Sequence, residues 1–445
     1  MRKLNNLTMK QSNNLTVGID IRNIGKKRTG DEVVFLGLVR SLALIGDTNL
    51  RTHTNATKNQ KIKFYLFTDI GDEKILESIK RDLGIKNRND FETVPLGALT
   101  PNPSPERRGG INKFVWNLWT LPRYLRKHPV DVYHTQYITP FFVPRKIKII
   151  THIHDVSFKA YRQFIKWSDL FFLKILIPWS LKRADKIIAV SEFTKNEIIK
   201  YYFKSPLIPL FQRGKLKEKV EVVYNATSLR ITNSYETTNK LREKIRKKYN
   251  LPERFILYMG TLQPRKNIPM LIKAYAKIKN KIPGIKLVIA GNRDAHNFDG
   301  EINEVMKQSA LTPNPSPKGR GRIEADIIFP GFIEEKDKMI LIGMARLFVF
   351  PSLYEGFGIP ILEAMSQNVP VAASDIPSLS EVGGNAYIKF NPRDLDEVAE
   401  KLYTACADKD LRKKLINLGQ SRVKFFSWEK AAEKMLKAYK EAAIG

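Results

Sequence analysis

The stretch PSLYEGFGIPILEAMSQNVPVAASDIPSLSEVGG, residues 351–384, determines how the rest of the chain is interpreted. It follows an apolar, β-rich run, turns through Gly356 and Gly358, and enters a helical pattern near Pro360, a residue suited to the first turn of a helix. A glycine turn that leads into a helix presents free backbone N–H groups and the positive end of the helix dipole. The stretch therefore predicts a strand, a turn and a helix that bind a diphosphate.

Two glutamates stand eight residues apart in this stretch, at positions 355 and 363. Glu355 lies in the predicted turn, where its carboxylate can accept hydrogen bonds from sugar hydroxyls. Glu363 lies one helical turn further on, where it can accept from both hydroxyls of a ribose. The alternative is a pair of solvated glutamates on a loop and a helix. The strand–turn–helix setting favours the binding site.

The second half of the chain alternates short β-rich runs with helical patterns. The predicted strands are FILYMG (255–260), KLVIAG (286–291), DIIFPG (326–331), RLFVFPS (346–352) and VPVAASD (369–375). Strand and helix in alternation indicate a parallel sheet covered by helices on both faces. The first half shows the same alternation less clearly, and 445 residues suffice for two domains of ordinary size. The sequence predicts an α/β fold.

Residues 351–384 resemble the donor site of the retaining glycosyltransferases of family 4, whose signature Glu-x7-Glu is met by Glu355 and Glu363. Three further segments resemble this family: IHDVSF (153–158), ADKIIAVSEFTKNEII (184–199) and YMGTLQPRKNIPMLIKAY (258–275). The chain is most similar to the bacterial mannosyltransferase-like branch.

The resemblance implies the GT-B architecture, in which two Rossmann-like domains with parallel sheets face a cleft and a C-terminal helix crosses back onto the N-terminal domain. Ser427 can cap that helix. We expect a disordered tail over 1–16, the N-terminal acceptor domain over 17–228, the nucleotide-sugar donor domain over 241–425, and the crossing helix over 427–445.

The same resemblance implies residue roles. Glu363 would bind the ribose, and Arg265 with Lys266 would neutralise the diphosphate, whose charge grows as the glycosidic bond breaks. The catalytic set would be His154, Arg265, Lys266 and Glu355. The donor-binding set would be Gly30, Gly260, Arg265, Lys266, Glu355, Gly356, Phe357, Gly358, Ile359 and Glu363, with Phe357 and Gly358 acting through their backbone.

The residues themselves support part of this assignment. Arg265 and Lys266 lie at a predicted helix start, where the dipole disfavours cations unless an anion binds there. His154 follows a predicted strand, where ligand sites of parallel sheets form, and His152 is expected to be its structural neighbour. The family often has a second glycine two positions after the first in its N-terminal loop. Asp31 and Glu32 follow Gly30 instead and would repel a phosphate, so we expect this loop to face the acceptor.

The resemblance further implies transfer of a hexose to a glycan or lipid-linked acceptor, with retention of anomeric configuration, in cell-surface polysaccharide biosynthesis. Mannose from GDP-mannose is the first expectation and UDP-sugars the second. A nucleotide-sugar epimerase or another GT-B enzyme is the alternative on the same fold. We expect no metal or other cofactor, because the six histidines lack ligand spacing and Asp394 suits a helix cap.

Net charge is +31, with the larger part of the excess in the first 228 residues. A nucleic-acid-binding protein is therefore the alternative from another class, although the sequence contains no zinc finger, RNA-binding sheet signature or basic helix with interleaved aromatic residues. NKFVWNLWTLPRYLRKH (112–128) fits either an interfacial helix on an anionic membrane or a core helix with a basic last turn.

No signal peptide and no apolar run of about 18 residues occurs, and the single cysteine, Cys406, fits a reducing compartment. We expect a cytoplasmic protein, with peripheral association at the inner face of the plasma membrane as a further expectation. LTPNPSP occurs at 99–105 and again at 311–317 with different flanks. These segments, and 204–215 as a diverged third, are expected to be elements inserted into surface loops. A proline-rich docking motif is the alternative.

Overall fold

The computed structural model describes residues 14–25, 30–48, 61–97, 115–164, 167–203, 217–227, 235–294, 298–309 and 326–444. Both LTPNPSP segments and residues 204–215 lie outside this part of the chain, and so do positions 1–13 of the expected tail.

The first sheet has seven strands, and every neighbouring pair runs parallel. Their spatial order is β3-β2-β1-β4-β5-β6-β7. Side chains on both faces are buried, as parallel sheets require: Val132 and Tyr133 are consecutive in the central strand, so they point to opposite faces, and neither has exposed surface. The strands are β1 (Asn14–Asp20), β2 (Lys61–Thr68), β3 (Phe91–Pro95), β4 (Val132–Gln136), β5 (Lys148–Ile153), β6 (Lys186–Ala189) and β7 (Val220–Val222).

The second sheet has six parallel strands in the order β10-β9-β8-β11-β12-β13. Strand order reverses beside the first strand of each sheet, between β1 and β4 and between β8 and β11. Ligands of open α/β sheets bind at the carboxyl ends of strands at such a switch point. The strands are β8 (Phe255–Met259), β9 (Lys286–Ala290), β10 (Ile327–Gly331), β11 (Leu347–Phe350), β12 (Val371–Ser374) and β13 (Ile388–Phe390). The predicted arrangement of two parallel-sheet, Rossmann-like domains is confirmed.

Helices connect the strands and cover the sheets. In the first domain they are α1 (Gly30–Thr48), α2 (Glu73–Leu83), α3 (Leu121–Lys127) after a π-helical turn over Trp116–Thr120, α4 (Ser157–Ala160), α5 (Trp167–Arg183) and α6 (Glu192–Ile198). In the second domain they are α7 (Tyr235–Tyr249), α8 (Ile268–Ile278), α9 (Glu301–Gln308), α10 (Glu335–Ile342), α11 (Ile359–Ser366), α12 (Pro377–Gly383), α13 (Leu395–Ala407) and α14 (Lys409–Val423). The last helix is α15 (Trp428–Ile444).

Two expected boundaries differ in the structure. Strand β1 begins at Asn14, so residues 14–16 are not part of a disordered tail. The Asp131 carboxylate fixes them, because it accepts hydrogen bonds from the Thr16 amide (2.8 Å) and the Thr16 hydroxyl (2.6 Å). Helix α7 begins at Tyr235, before the expected domain start at 241, and it packs on α10 of the second domain.

Helix α15 leaves the second domain and packs on α1 of the first. Ser427 caps it, since its hydroxyl oxygen accepts from the Lys430 amide (3.1 Å). Gly37 of α1 makes room for the indole of Trp428, which a β-carbon at position 37 would overlap. Four of the seven buried residues of α15 are alanines, so α1 and α15 can approach closely.

Tyr439 of α15 also joins a buried column of histidines. Its hydroxyl lies 2.8 Å from His134 Nδ1, and His134 Nε2 lies 3.3 Å from His152 Nδ1. The rings of His152 and His154 then stack with centroids 4.8 Å apart. Burial, with a smaller contribution from His154, lowers the pKa of His134 to about 3, and burial holds the pKa of His152 well below its usual value. Both rings are therefore neutral in the folded protein near neutral pH.

We expect these buried histidines to make the protein less stable as the pH falls from about 6.5 towards 3. An unfolded histidine binds a proton near pH 6.5, whereas folded His134 does so only near pH 3. Between these two pH values the unfolded chain binds more protons than the folded protein, so its stability relative to the folded state increases as the pH falls. At pH 5, His134 alone should lower the free energy of unfolding by about 2 kcal/mol relative to its value at pH 7. Urea unfolding at pH 5 and 7 measures the loss.

The variant His134→Gln should reduce this pH dependence by that amount. His128, an exposed histidine on the surface, provides the matched control as His128→Gln. Equal pH dependence in the two variants would mean that His134 is not the source.

Candidate active site

The donor turn predicted between a strand and a helix is present between β11 and α11. Gly358 has a φ of +105°, a left-handed conformation that favours glycine, and a β-carbon there would overlap the Leu379 side chain. Pro360 occupies the first turn of α11. The free N–H groups of α11 therefore face the end of this turn, as an anion site requires.

Gly356, which was expected to bind the donor, also joins the two domains. A β-carbon at this position would overlap the backbone carbonyl of His154. The Gly356 carbonyl oxygen accepts hydrogen bonds from the hydroxyls of Ser191 (2.6 Å) and Thr194 (3.1 Å), which both belong to the first domain. The donor turn thus lies directly against the carboxyl end of β5 and the start of α6.

Glu355 is buried between two cations. Lys266 Nζ lies 2.5 Å from Glu355 Oε1, and Arg265 Nη1 lies 3.3 Å from Oε2. Burial would raise the pKa of the Glu355 carboxyl, but the charges of Lys266 and Arg265 outweigh it and hold that pKa below its usual value. Burial and the neighbouring Arg265 charge lower the pKa of Lys266 to about 8. The carboxylate of Asp155, from the first domain, also acts on both cations and raises their pKa values. Arg265 and Lys266 thus place two positive charges beside the donor turn, as binding of a diphosphate requires.

The two cations are held by the backbone of the donor turn. Arg265 and Lys266 lie in a 3₁₀ turn, Pro264–Lys266, immediately before α8. Arg265 Nη1 donates to the Tyr354 carbonyl oxygen (3.2 Å), and the Leu353 amide donates to the Arg265 carbonyl oxygen (2.8 Å). The cations and the glutamate are therefore fixed relative to each other by two crosslinked segments.

Glu363 lies buried on α11 and forms an ion pair with Lys338 of α10. Lys338 was not among the residues expected at the site. It lies 25 residues before Glu363 on another helix, and no sequence spacing connects two such positions. The pair fixes one oxygen of the carboxylate that is expected to accept from a ribose.

His154 follows β5 and faces the donor turn from the first domain. Its Nε2 lies 3.3 Å from Gln136 Oε1 and 3.9 Å from Asp31 Oδ1. His152 is its structural neighbour, as expected, and stacks on it. Gln136 is the last residue of β4 and was not expected at the site. The only signal in the sequence is its place at a strand end, which many polar residues share.

Four further residues were expected to bind the donor: Gly30, Gly260, Phe357 and Ile359. None of them belongs to the charged cluster of Arg265, Lys266 and Glu355. Gly30 is the exposed first residue of α1, not part of a loop, and a β-carbon there would meet no atom within 4 Å. Gly260 follows β8, where a β-carbon would lie 2.8 Å from the Tyr258 hydroxyl. Phe357 packs on Phe426 with ring centroids 5.5 Å apart. Ile359 is also buried in the core, so only the backbone of these two residues can reach a donor.

Within the described residues, no cluster of three or more His, Cys, Asp or Glu side chains is arranged to hold a metal ion. Asp394 caps α13, as expected, because its carboxylate accepts from the amides of Asp396 and Glu397 at 3.0 Å each. In the same part of the chain, no helix combines the length and apolar character needed to cross a membrane.

Comparison with known proteins identifies both domains. Residues 53–230 match the family model for Glycosyltransferase Family 4, and residues 241–422 match that for Glycosyl transferases group 1. The chain is 30% identical over 323 residues to O-antigen chain mannosyltransferase B of Escherichia coli, covering 71% of this chain and 76% of that protein. It is 29% identical over 263 residues to the serotype-specific mannosyltransferase WbdA of Escherichia coli, but covers only 29% of that longer protein.

Solved structures agree on the fold. Alr3699/HepE of Anabaena, determined in complex with UDP-glucose, superposes with a TM-score of 0.63 at 15% identity, over 96% of this chain and all of the other. Two facing Rossmann-like domains with these matches define a glycosyltransferase of the GT-B class. The chain belongs to glycosyltransferase family 4, in its mannosyltransferase-like branch. The nucleic-acid-binding interpretation has no support from these comparisons.

Lys266 gives the site a measurable pH dependence. Because the pKa of its ammonium group is about 8, we expect affinity for a nucleoside diphosphate to fall between pH 7.5 and 9.5, where the lysine loses its proton. Lys266→Arg, which stays charged across this range, should remove most of the fall. Isothermal titration calorimetry with GDP and UDP measures it.

Lys273→Arg, on an exposed face of α8, is the matched control and should retain the pH dependence of the wild type. If Lys266→Arg and Lys273→Arg behave alike, Lys266 does not contact the diphosphate.

Proposed function

We propose that this chain transfers a mannosyl residue from a nucleoside diphosphate sugar, GDP-mannose first, to a glycan or lipid-linked acceptor with retention of anomeric configuration. The proposed process is cell-surface polysaccharide biosynthesis. The observation that carries the donor assignment is the buried cluster of Arg265, Lys266 and Glu355 beside the N-terminus of α11. The mannosyltransferase relatives supply the choice of sugar.

The cluster suits the charge that develops during transfer. As the bond between the sugar and the diphosphate breaks, negative charge grows on the leaving phosphate. The cations at positions 265 and 266 and the N–H groups of α11 are already in place, so they need not reorganise when that charge appears. Their attraction increases towards the transition state and lowers its free energy relative to the bound donor.

The other residues would position the donor. Glu363, fixed by Lys338, would accept from the ribose hydroxyls with its carboxylate. Glu355, fixed by Lys266 and Arg265, would accept from hydroxyls of the donor sugar. His154 would contact the same sugar from the first domain, because its carbonyl adjoins Gly356. We also propose that no divalent metal is needed, since Arg265 and Lys266 neutralise much of the diphosphate charge.

UDP is the alternative nucleotide, because the structurally similar Alr3699/HepE of Anabaena was determined in complex with UDP-glucose. Retention requires that the acceptor oxygen bonds to the anomeric carbon on the face from which the diphosphate leaves. A labelled-donor assay with GDP-mannose and UDP-sugars, with the product linkage read by NMR, distinguishes these possibilities. EDTA in the same assay should not reduce turnover.

Substitutions of Glu363 and Lys266 should affect the donor KM and kcat to different extents. Glu363→Gln should raise the donor KM at least tenfold, because an amide loses one of the two acceptors for ribose and the charge that pairs with Lys338. Lys266→Ala should lower kcat by a larger factor than it raises KM, because its interaction strengthens as the phosphate charge grows. Steady-state kinetics give both values.

Glu400→Gln, an exposed substitution on α13, is the control for Glu363→Gln and should match the wild type. Near-native turnover in both site variants, with circular dichroism showing a folded protein, would exclude the site assignment.

We further propose that one surface of the first domain contacts an anionic membrane. Trp116 and Leu121 are fully buried, so the expected interfacial stretch is partly core. Trp119, however, is 61% exposed and Phe142 is 65% exposed, and Leu118 adds to this apolar surface. The Arg123 guanidinium lies 5.7 Å from the Trp119 ring. Basic and aromatic groups together suit the surface of an anionic bilayer.

Co-sedimentation with vesicles tests this surface. The wild type should bind phosphatidylglycerol-containing vesicles more than phosphatidylcholine vesicles at low salt, and Trp119→Ser should weaken that binding about tenfold. Phe425→Ser, which removes an exposed aromatic ring elsewhere, is the control. Equal binding to both vesicle types would contradict the proposal.

A further inference from the structure

Three histidine rings form a row on one face of the first sheet, between helix α15 and the donor turn. His152 and His154 are two positions apart in the chain, so both side chains point to the same face. His134 of β4 lies beside them, with its ring centroid 5.5 Å from that of His152 and the two planes 13° apart. The Tyr439 hydroxyl, 2.8 Å from His134 Nδ1, closes the row at α15. The row therefore connects the last helix to the residue that faces the donor turn.

The two inner rings depend on each other for their hydrogen bonds. Among the described residues, His152 has one such bond, from its Nδ1 to His134 Nε2 (3.3 Å), because its buried Nε2 has no partner. In the same part of the chain, the other nitrogen of His134 bonds only to the Tyr439 hydroxyl, and that hydroxyl bonds only to His134. All three side chains are buried away from solvent. The orientation of His152 thus depends on His134, and that of His134 depends on Tyr439.

The direction of these hydrogen bonds follows from the Tyr439 hydroxyl. Burial keeps His134 and His152 neutral, so each ring carries one proton, on Nδ1 or on Nε2. The buried hydroxyl proton has an acceptor only if Tyr439 donates to His134 Nδ1, and a buried donor without an acceptor is unfavourable. His134 then carries its proton on Nε2 and donates it to His152 Nδ1, which places the proton of His152 on Nε2. One hydroxyl therefore sets the tautomer of both rings.

The far end of the row holds the imidazole of His154. Its ring stacks on that of His152 with centroids 4.8 Å apart and the planes 16° apart. Phe35 of α1 packs against both rings, with centroid distances of 5.4 Å to His152 and 6.1 Å to His154. Because the interior is closely packed, a rotation of the His152 ring would displace the ring stacked on it.

We propose that Tyr439 is a positioning residue for the transfer reaction: its hydroxyl orients His134, His134 orients His152, and the stacked ring of His152 holds the imidazole of His154 towards the donor sugar. The inference rests on the proposed function, since it concerns the residue that would contact that sugar. It gives α15 a role beyond packing, because a helix that follows the second domain sets the orientation of a side chain that the first domain contributes to the cleft.

NMR of protein with ¹³C- and ¹⁵N-labelled histidine tests the row without requiring turnover, and the chain contains only six histidines. Tyr439→Phe removes the hydroxyl and keeps the aromatic ring. Tyr275→Phe is the matched control, because it removes another buried hydroxyl, which donates to the Ile285 carbonyl oxygen (3.0 Å) in the second domain. A general loss of stability from a missing buried hydrogen bond would appear in both variants.

A second variant cuts the row at its next bond. His134→Asn keeps an acceptor close to the position of Nδ1, so it can still bond to Tyr439, but it has no atom in place of Nε2 and cannot bond to His152. If Tyr439→Phe does not fold, His134→Asn allows the same comparison.

In the wild type, the ¹⁵N signals of His134 and His152 should be those of neutral rings protonated on Nε2. We expect the His154 signals to shift in Tyr439→Phe and in His134→Asn, and to keep their wild-type positions in Tyr275→Phe. Tyr439→Phe should also lower kcat about tenfold with little change in the donor KM, because a displaced side chain costs more in the transition state than in the bound donor.

His154 signals that stay unchanged in both Tyr439→Phe and His134→Asn would overturn the inference, and so would equal kcat values for Tyr439→Phe and Tyr275→Phe. If the wild type transfers no sugar from any nucleotide donor, the proposed function fails, while the NMR comparison still decides whether Tyr439 positions His154.

Discussion

The backbone contact between Gly356 and His154 is the constraint on which the arrangement of the site depends. It leaves no space for a side chain, and the hydroxyls of Ser191 and Thr194 hold the same peptide from the other side. Each domain supplies one end of a parallel sheet, and neither end alone has both the proposed diphosphate-binding cluster and a histidine beside it. The contact brings the two ends together, so the proposed transfer site requires both domains.

Burial of the Glu355 carboxylate in the second domain carries a desolvation penalty. An unpaired carboxylate in the interior is strongly unfavourable, and here two cations compensate for it. One of them, Lys266, is itself destabilised by burial and by Arg265. Asp155 of the first domain also acts on both cations, and a diphosphate bound as proposed would bring further negative charge to them.

Much of the fold and the donor side of the site could be predicted from local sequence. The alternation of strands and helices predicts the two sheets, and the turn at 355–358 with its helix is a local pattern that the structure reproduces. Lys338, Gln136 and Tyr439 could not be found this way, because each acts through a contact between elements distant in the sequence. Gly356 was assigned to the donor, whereas its lack of a side chain is explained by a neighbouring domain that local sequence does not reveal.

Helix α15 brings residues that follow the second domain into the interior of the first. Trp428 fills the space above Gly37, and Tyr439 contacts His134 in the interior of the first sheet, 305 positions earlier in the chain. During synthesis these residues leave the ribosome after those of both sheets. The domain that is made first therefore completes its core only after the second domain has been made, and a truncation that removes α15 would damage the first domain more than the second.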